Sequence, residues 1–198
     1  MMQNYPNGGP SAVWVTVHDI FLTEDSPTEA VGPSPVAAEH LLSSRRRVEQ
    51  AVAAARAELL PHIQHLTVTV DPPDHAELIR ALDWIANSSI TPAEACEKMG
   101  VTVPEPDLVG WISPWPVTAR SSDGSATITC LIPATPPAEL AVDTADWLQT
   151  ALADDWITDP VPPCPGHPHP MRPAVHDATA WWECPANGPV RAWRKQQV

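Results

Sequence analysis

The chain has 198 residues and a formal charge of −13, set by 24 acidic against 11 basic side chains. A field of that sign repels nucleic-acid phosphates and anionic membrane surfaces, whose affinities come from neutralisation by Lys and Arg, so a basic protein is the more natural partner. The 43% apolar content and nine Trp can build a globular core, while no run reaches the roughly 18 apolar residues of a membrane span.

Met1 to Pro10 carries neither the positive charge nor the apolar stretch of a secretory leader, so a cytoplasmic location is expected. Residues 1–11 are polar and rich in Gly and Pro, which predicts a disordered N-terminus. Ala12 to Leu22 alternates as a strand, with Val13, Val15 and Val17 on one face. An acidic loop over 23–35 follows.

Pro35 to Leu60 carries the clearest helical pattern, with Leu41, Val48, Val52, Ala55 and Leu59 forming one apolar stripe that Pro61 ends. Leu66 to Val70 reads as a short strand, and His75 to Ala86 as a helix with Leu78, Ile79, Leu82 and Ile85 on one side. Thr91-Pro92-Ala93-Glu94 is a capping box with proline in the first turn, opening a helix that closes at Gly100. Leu108 to Arg120 and Ala126 to Ile132 predict two strands around the turn at Ser122–Ser125. A last helix is expected from Thr135 or Pro136 to Ala153, with Leu140, Ala145, Leu148 and Leu152 inward. Strands and helices mix without a regular βαβ alternation, so the class is α+β. The organisation expected is a main α+β domain over 12–158, with a sub-boundary near 104–107, and a separate C-terminal segment over 159–198.

That C-terminal segment is too short for a hydrophobic core of its own. It must be stapled or packed on the rest of the chain. It contains Cys164-Pro-Gly-His167-Pro-His169-Pro and, after a hairpin turning at His176–Thr179, Cys184-Pro-Ala-Asn-Gly188. Zinc favours thiolate and imidazole donors in a tetrahedron. A Pro-Gly pair between Cys164 and His167 lets two donors turn around one ion. Cys184 returns as a third, and His169 is the preferred fourth because it adjoins the first turn, with His176 as the alternative. Two cysteines in a histidine-rich segment without a leader point to metal-binding thiols rather than a disulfide. The other two, Cys96 and Cys130, lie in apolar contexts and are expected to be buried.

Over residues 162–190 this pattern resembles a zinc ribbon in which one cysteine of each usual pair is altered or missing. It is also similar to C-terminal segments of uncharacterised actinobacterial proteins. The Arg-over-Lys bias with abundant Ala and Pro fits a bacterial, G+C-rich source. The resemblance implies a zinc-stabilised β-hairpin and no activity.

Glu183, beside Cys184, is the general base that a catalytic zinc would need, which leaves a metal-dependent hydrolase as the alternative. However, no His-Glu-x-x-His run and no deaminase pattern accompanies it. Residues 90–111 faintly resemble a helix-turn-helix, giving a DNA-binding regulator as a third reading. The acidic, proline-containing Val103–Asp107 stands where a basic recognition helix is required. The function expected is therefore that of a zinc-binding, protein–protein interaction or accessory module, holding structural Zn2+ through Cys164, His167, His169 and Cys184.

Overall fold

The computed structural model describes residues 34–154 and 159–194. The strand expected over Ala12–Leu22 and the disordered stretch over 1–11 lie outside the described residues. The apolar stripe at Leu41, Val48, Val52, Ala55 and Leu59 is buried along helix α1 (Leu42–Leu59), which a short 3-10 turn at Ala38–Leu41 introduces. Strand β1 (Thr67–Val70) follows. Helix α2 (His75–Asn87) starts where the Asp74 carboxylate accepts the Glu77 N–H at 2.7 Å. Helix α3 (Pro92–Met99) is fixed at both ends by sequence-local chemistry. Thr91 and Glu94 form the reciprocal capping box, and Gly100, at φ +64°, closes the helix in the left-handed region.

The segment read as one strand over Leu108–Arg120 divides in two. Helix α4 (Leu108–Ile112) comes first, and strand β2 (Trp115–Arg120) begins only after it. Two contacts explain the difference. The Asp107 carboxylate accepts the Ser43 hydroxyl at 3.1 Å and lies 3.1 Å from His40 Nδ1, which ties residues 104–107 to the start of α1. Gly110 then lies so close to α1 that a Cβ there would stand 2.5 Å from Ser44 Oγ. Long-range packing overrides the β-propensity of Leu108-Val109.

Strand β3 (Ala126–Leu131) completes an antiparallel sheet of order β1-β2-β3. Its core face pairs Val70 with Val117 and Trp115 with Leu131. Neither cysteine expected in the core lies there: Cys130 points to the opposite face and is exposed, because strand residues alternate between faces, and Cys96 on α3 is half-buried. Helix α5 (Pro137–Asp154) buries Leu140, Ala145, Leu148 and Leu152. On α2, Ile79 is 39% exposed, outside the buried arc of Leu78 and Ala81.

The C-terminal segment forms a second antiparallel sheet of strands β4 (Arg172–His176), β5 (Thr179–Cys184) and β6 (Gly188–Ala192), in that order. The hairpin expected at His176–Thr179 is present, and Asp177 and Ala178 both take positive φ there. The sequence reading did not anticipate β6. This sheet shares a core with α1 and α5: Leu59, Ile63, Leu148, Leu152, Met171 and Trp182 pack as one cluster. Burying each of the Leu, Ile and Met side chains among them contributes about 1.5–3 kcal/mol. A second cluster joins α1 to α2, β2 and the start of α5 through Val48, Leu78, Val117 and Leu140, and Val68, Trp147 and Trp193 touch both. The chain is thus an α+β structure, with two three-stranded sheets set against helices among the described residues. Among the described residues, no helix is long and apolar enough to cross a membrane.

Candidate metal centre

The first donor turn is built by its own sequence. Pro165 and Gly166 occupy the two central positions of a turn in which the His167 N–H donates to Cys164 O at 3.2 Å. Gly166 has φ +77°, as the third position of a type II turn requires, and proline before it presets the other corner. The flanking chain closes on itself. The Met171 N–H donates to Pro162 O at 2.9 Å, the Cys164 N–H to His169 O at 3.3 Å, and Pro163 bridges Pro170. From α5, the Gln149 side-chain amide donates to Val161 O at 2.6 Å and to Met171 O at 2.8 Å, so one side chain holds both ends of the loop.

The second turn joins β5 to β6. Cys184 ends β5, Pro185 follows, and the Asn187 N–H reaches both Cys184 O at 3.2 Å and Cys184 Sγ at 3.3 Å. Gly188, at φ +82°, starts the return strand. Strand alternation places Cys184 on the same side of β5 as Trp182, which is fully buried. The thiol is therefore anchored in the shared core.

These two turns bring four side chains to one point. Cys164 Sγ is 3.5 Å from His167 Nδ1, and Cys184 Sγ is 3.3 Å from the same nitrogen and 4.0 Å from His169 Nε2. All four donor atoms lie within 4.8 Å of one another. A tetrahedral ion with Zn–S of about 2.3 Å and Zn–N of about 2.0 Å would hold its donors roughly 3.3–3.8 Å apart. Cys164, His167, His169 and Cys184 can hold a metal ion.

Their surroundings favour that use. The two imidazole rings stack, with centroids 5.0 Å apart and 17° between planes. His169 Nδ1 lies 3.0 Å from Pro170 O, a bond that, made by Nδ1–H, leaves the Nε2 lone pair toward the cysteines. Cys164 and Cys184 are only 5% and 2% exposed. Burial pushes the Cys164 thiol up, and the neighbouring Cys184 adds to this. Burial also opposes ionisation of Cys184, but the Ala186 N–H, the Cys164 thiol and the Asn187 N–H outweigh it, so the Cys184 thiol is held below its ordinary value. A divalent cation held between the two sulfurs would stabilise both as thiolates.

His176 is not among the four. Its Nε2 is 3.0 Å from Glu183 Oε2, and its ring meets Trp181 edge-on. The other Glu183 oxygen receives the Arg172 guanidinium, including Nε at 2.9 Å. The Arg172 hydrogen bonds, with His176 beside them, hold the Glu183 carboxyl below its ordinary value. Glu183 therefore spans β4 and β5 as an ion-paired strut. After α3, the helix-turn-helix reading meets only a 3-10 turn at Glu105–Asp107 and the five-residue α4, where Leu108, Val109 and Gly110 are buried.

No family model, no curated protein and no solved structure matches the chain. Two contributors escaped the sequence reading, Gln149 and Asn187. Gln149 is one polar residue on an amphipathic helix, and nothing local marks it as the clamp of a loop 12 and 22 residues away. Asn187 acts through its backbone N–H, which side-chain identity does not reveal.

Proposed function

We propose that the chain is a zinc-binding accessory protein in which the ion is structural, joining the loop at Cys164–His169 to the β5–β6 turn. The observation that carries this reading is the convergence of two thiols and two imidazole nitrogens within 4.8 Å. Soft sulfur with nitrogen in a compact set of four suits Zn2+ better than the oxygen-seeking Mg2+ or Ca2+. The separate turns that supply the donors support the resemblance to a zinc ribbon.

Four protein donors fill a tetrahedron and leave no position for a water to be activated. The bound ion would supply cross-linking rather than Lewis-acid chemistry. Glu183, the base a hydrolase would use, is committed to Arg172 and His176. An acidic protein of this kind works through contact with another protein, one carrying a basic face that complements the charge of −13.

Metal analysis of the purified chain tests the reading. Wild type is expected to carry one zinc per chain, and Cys164→Ala to lose it. Zinc retained in full by Cys164→Ala would place the ion elsewhere and end the proposal.

A further inference from the structure

An apolar groove of about 550 Å³ opens between α2 and α3, away from the metal centre's donors. Ala81, Trp84, Ile90, Ala95, Met99 and Ile132 supply its walls. Trp84 is 48% exposed and Ile132 45% exposed, so large apolar side chains face solvent here together rather than singly. The volume falls within the roughly 300–1,000 Å³ of small-molecule sites. A protein partner would need a face of roughly 800 Å².

The polar groups at the groove decide the ligand's chemistry. Ser113 spends its hydroxyl on Val109 O at 2.7 Å, and Glu77 is held by the Arg80 guanidinium. A ligand with polar atoms along its body would leave them unpaired against these walls, at the cost of their hydration. The body must therefore be hydrocarbon. Lys98 stands at the groove and forms no ion pair among the described residues. Glu94, one turn earlier on α3, feels the Lys98 charge but is engaged by the Thr91 N–H at 2.7 Å and the Thr91 hydroxyl at 2.9 Å. On a chain of charge −13, an unpaired ammonium beside an apolar trough selects an anionic end group.

We propose that this groove binds a fatty acid, with its tail between Trp84, Met99 and Ile132 and its carboxylate at Lys98. The inference is independent of the zinc centre. Calorimetric titration of the full chain as purified tests it, using dodecanoate, dodecanol and dodecyltrimethylammonium below their micelle concentrations. Dodecanoate is expected to bind one per chain, the alcohol more weakly and the cation most weakly. Lys98→Glu, a surface change, should weaken dodecanoate by about fivefold or more and favour the cation. Ile132→Asp should abolish binding of the carboxylate while the circular-dichroism spectrum and cooperative thermal unfolding stay as in wild type, which confirms that the variant is folded. Three results would overturn the proposal: no saturable dodecanoate binding, equal binding of the cation by wild type, or a groove covered by a second copy, seen as a dimer that Ile132→Asp dissociates.

Discussion

Glu58 accepts the indole N–H of Trp182 at 2.9 Å, across 124 positions of sequence. The same carboxylate accepts the Arg194 N–H at 2.7 Å and pairs with Arg191 Nη1 at 2.7 Å. Its side chain is only 4% exposed. Through it, α1 holds β5, β6 and the chain that leaves β6, while Trp182 stacks on Trp193 with centroids 5.3 Å apart. The C-terminal sheet is thus fastened by the core and by this carboxylate.

Glu58→Ala leaves the buried Trp182 N–H without its acceptor and should lower stability by about 2–3 kcal/mol in chemical denaturation. A loss below about 0.5 kcal/mol would show that the strands dock without it.

The pH dependence of that contribution has a definite sign. Burial pushes the Glu58 carboxyl up, but the bonds from Arg194, Trp182 and Arg191 outweigh it and hold it below the ordinary 4.5. A carboxyl with a lowered folded pKa stabilises above its unfolded value and loses that contribution as pH falls through the folded value. The stability gap between wild type and Glu58→Gln should therefore be full above pH 4.5 and shrink progressively below it. Comparing the two proteins at each pH cancels any acid effect at the Cys/His cluster that is common to both. A gap that widens in acid would contradict this assignment.

Gln149→Ala removes two hydrogen bonds from the loop that carries Cys164, His167 and His169 without touching a donor atom. Gln149 acts one step further out than a partner bonded to a ligand, whose loss typically weakens metal binding by about 10–100-fold, so the lower end, about tenfold, is expected. Competition with a zinc chelator should show a decrease of that size with stoichiometry unchanged. Unaltered affinity would mean that the turn at Pro165-Gly166 positions the donors by itself.

His169→Ala and His176→Ala separate the two histidines that the sequence left in competition. The first should abolish tight zinc binding. The second should leave it within about threefold, because His176 serves Glu183 rather than the donor cluster. The reverse outcome would exchange their roles.

Ala178 takes φ +55° in the two-residue β4–β5 turn, a conformation that costs an L-residue with a side chain roughly 1 kcal/mol. Ala178→Gly should therefore stabilise the protein slightly, by up to about 1 kcal/mol. A destabilised variant would mean that the Ala178 methyl makes a contact worth more than the strain.

The elements legible in the sequence were those with local causes. The α1 stripe, the Thr91–Glu94 box with Gly100, and the two Pro-containing donor turns each carry their instruction within a few residues. The four donors were legible for the same reason, since spacing and turn chemistry specify them. What escaped depends on partners distant in sequence. The closeness of Gly110 to Ser44 makes Leu108–Ile112 a helix, which no pattern in those five residues announces. Strand β6 contains Pro189 and lacks apolar alternation, so pairing with β5 defines it. Glu58 looks like any acid on a helix until Trp182 arrives.

X-ray absorption at the zinc edge of the purified full chain tests the central claim most directly. Two sulfurs at about 2.3 Å and two imidazole nitrogens at about 2.0 Å are expected, with one zinc per chain. Absence of stoichiometric zinc, or a shell containing a water oxygen and only three protein donors, would contradict the structural metal centre.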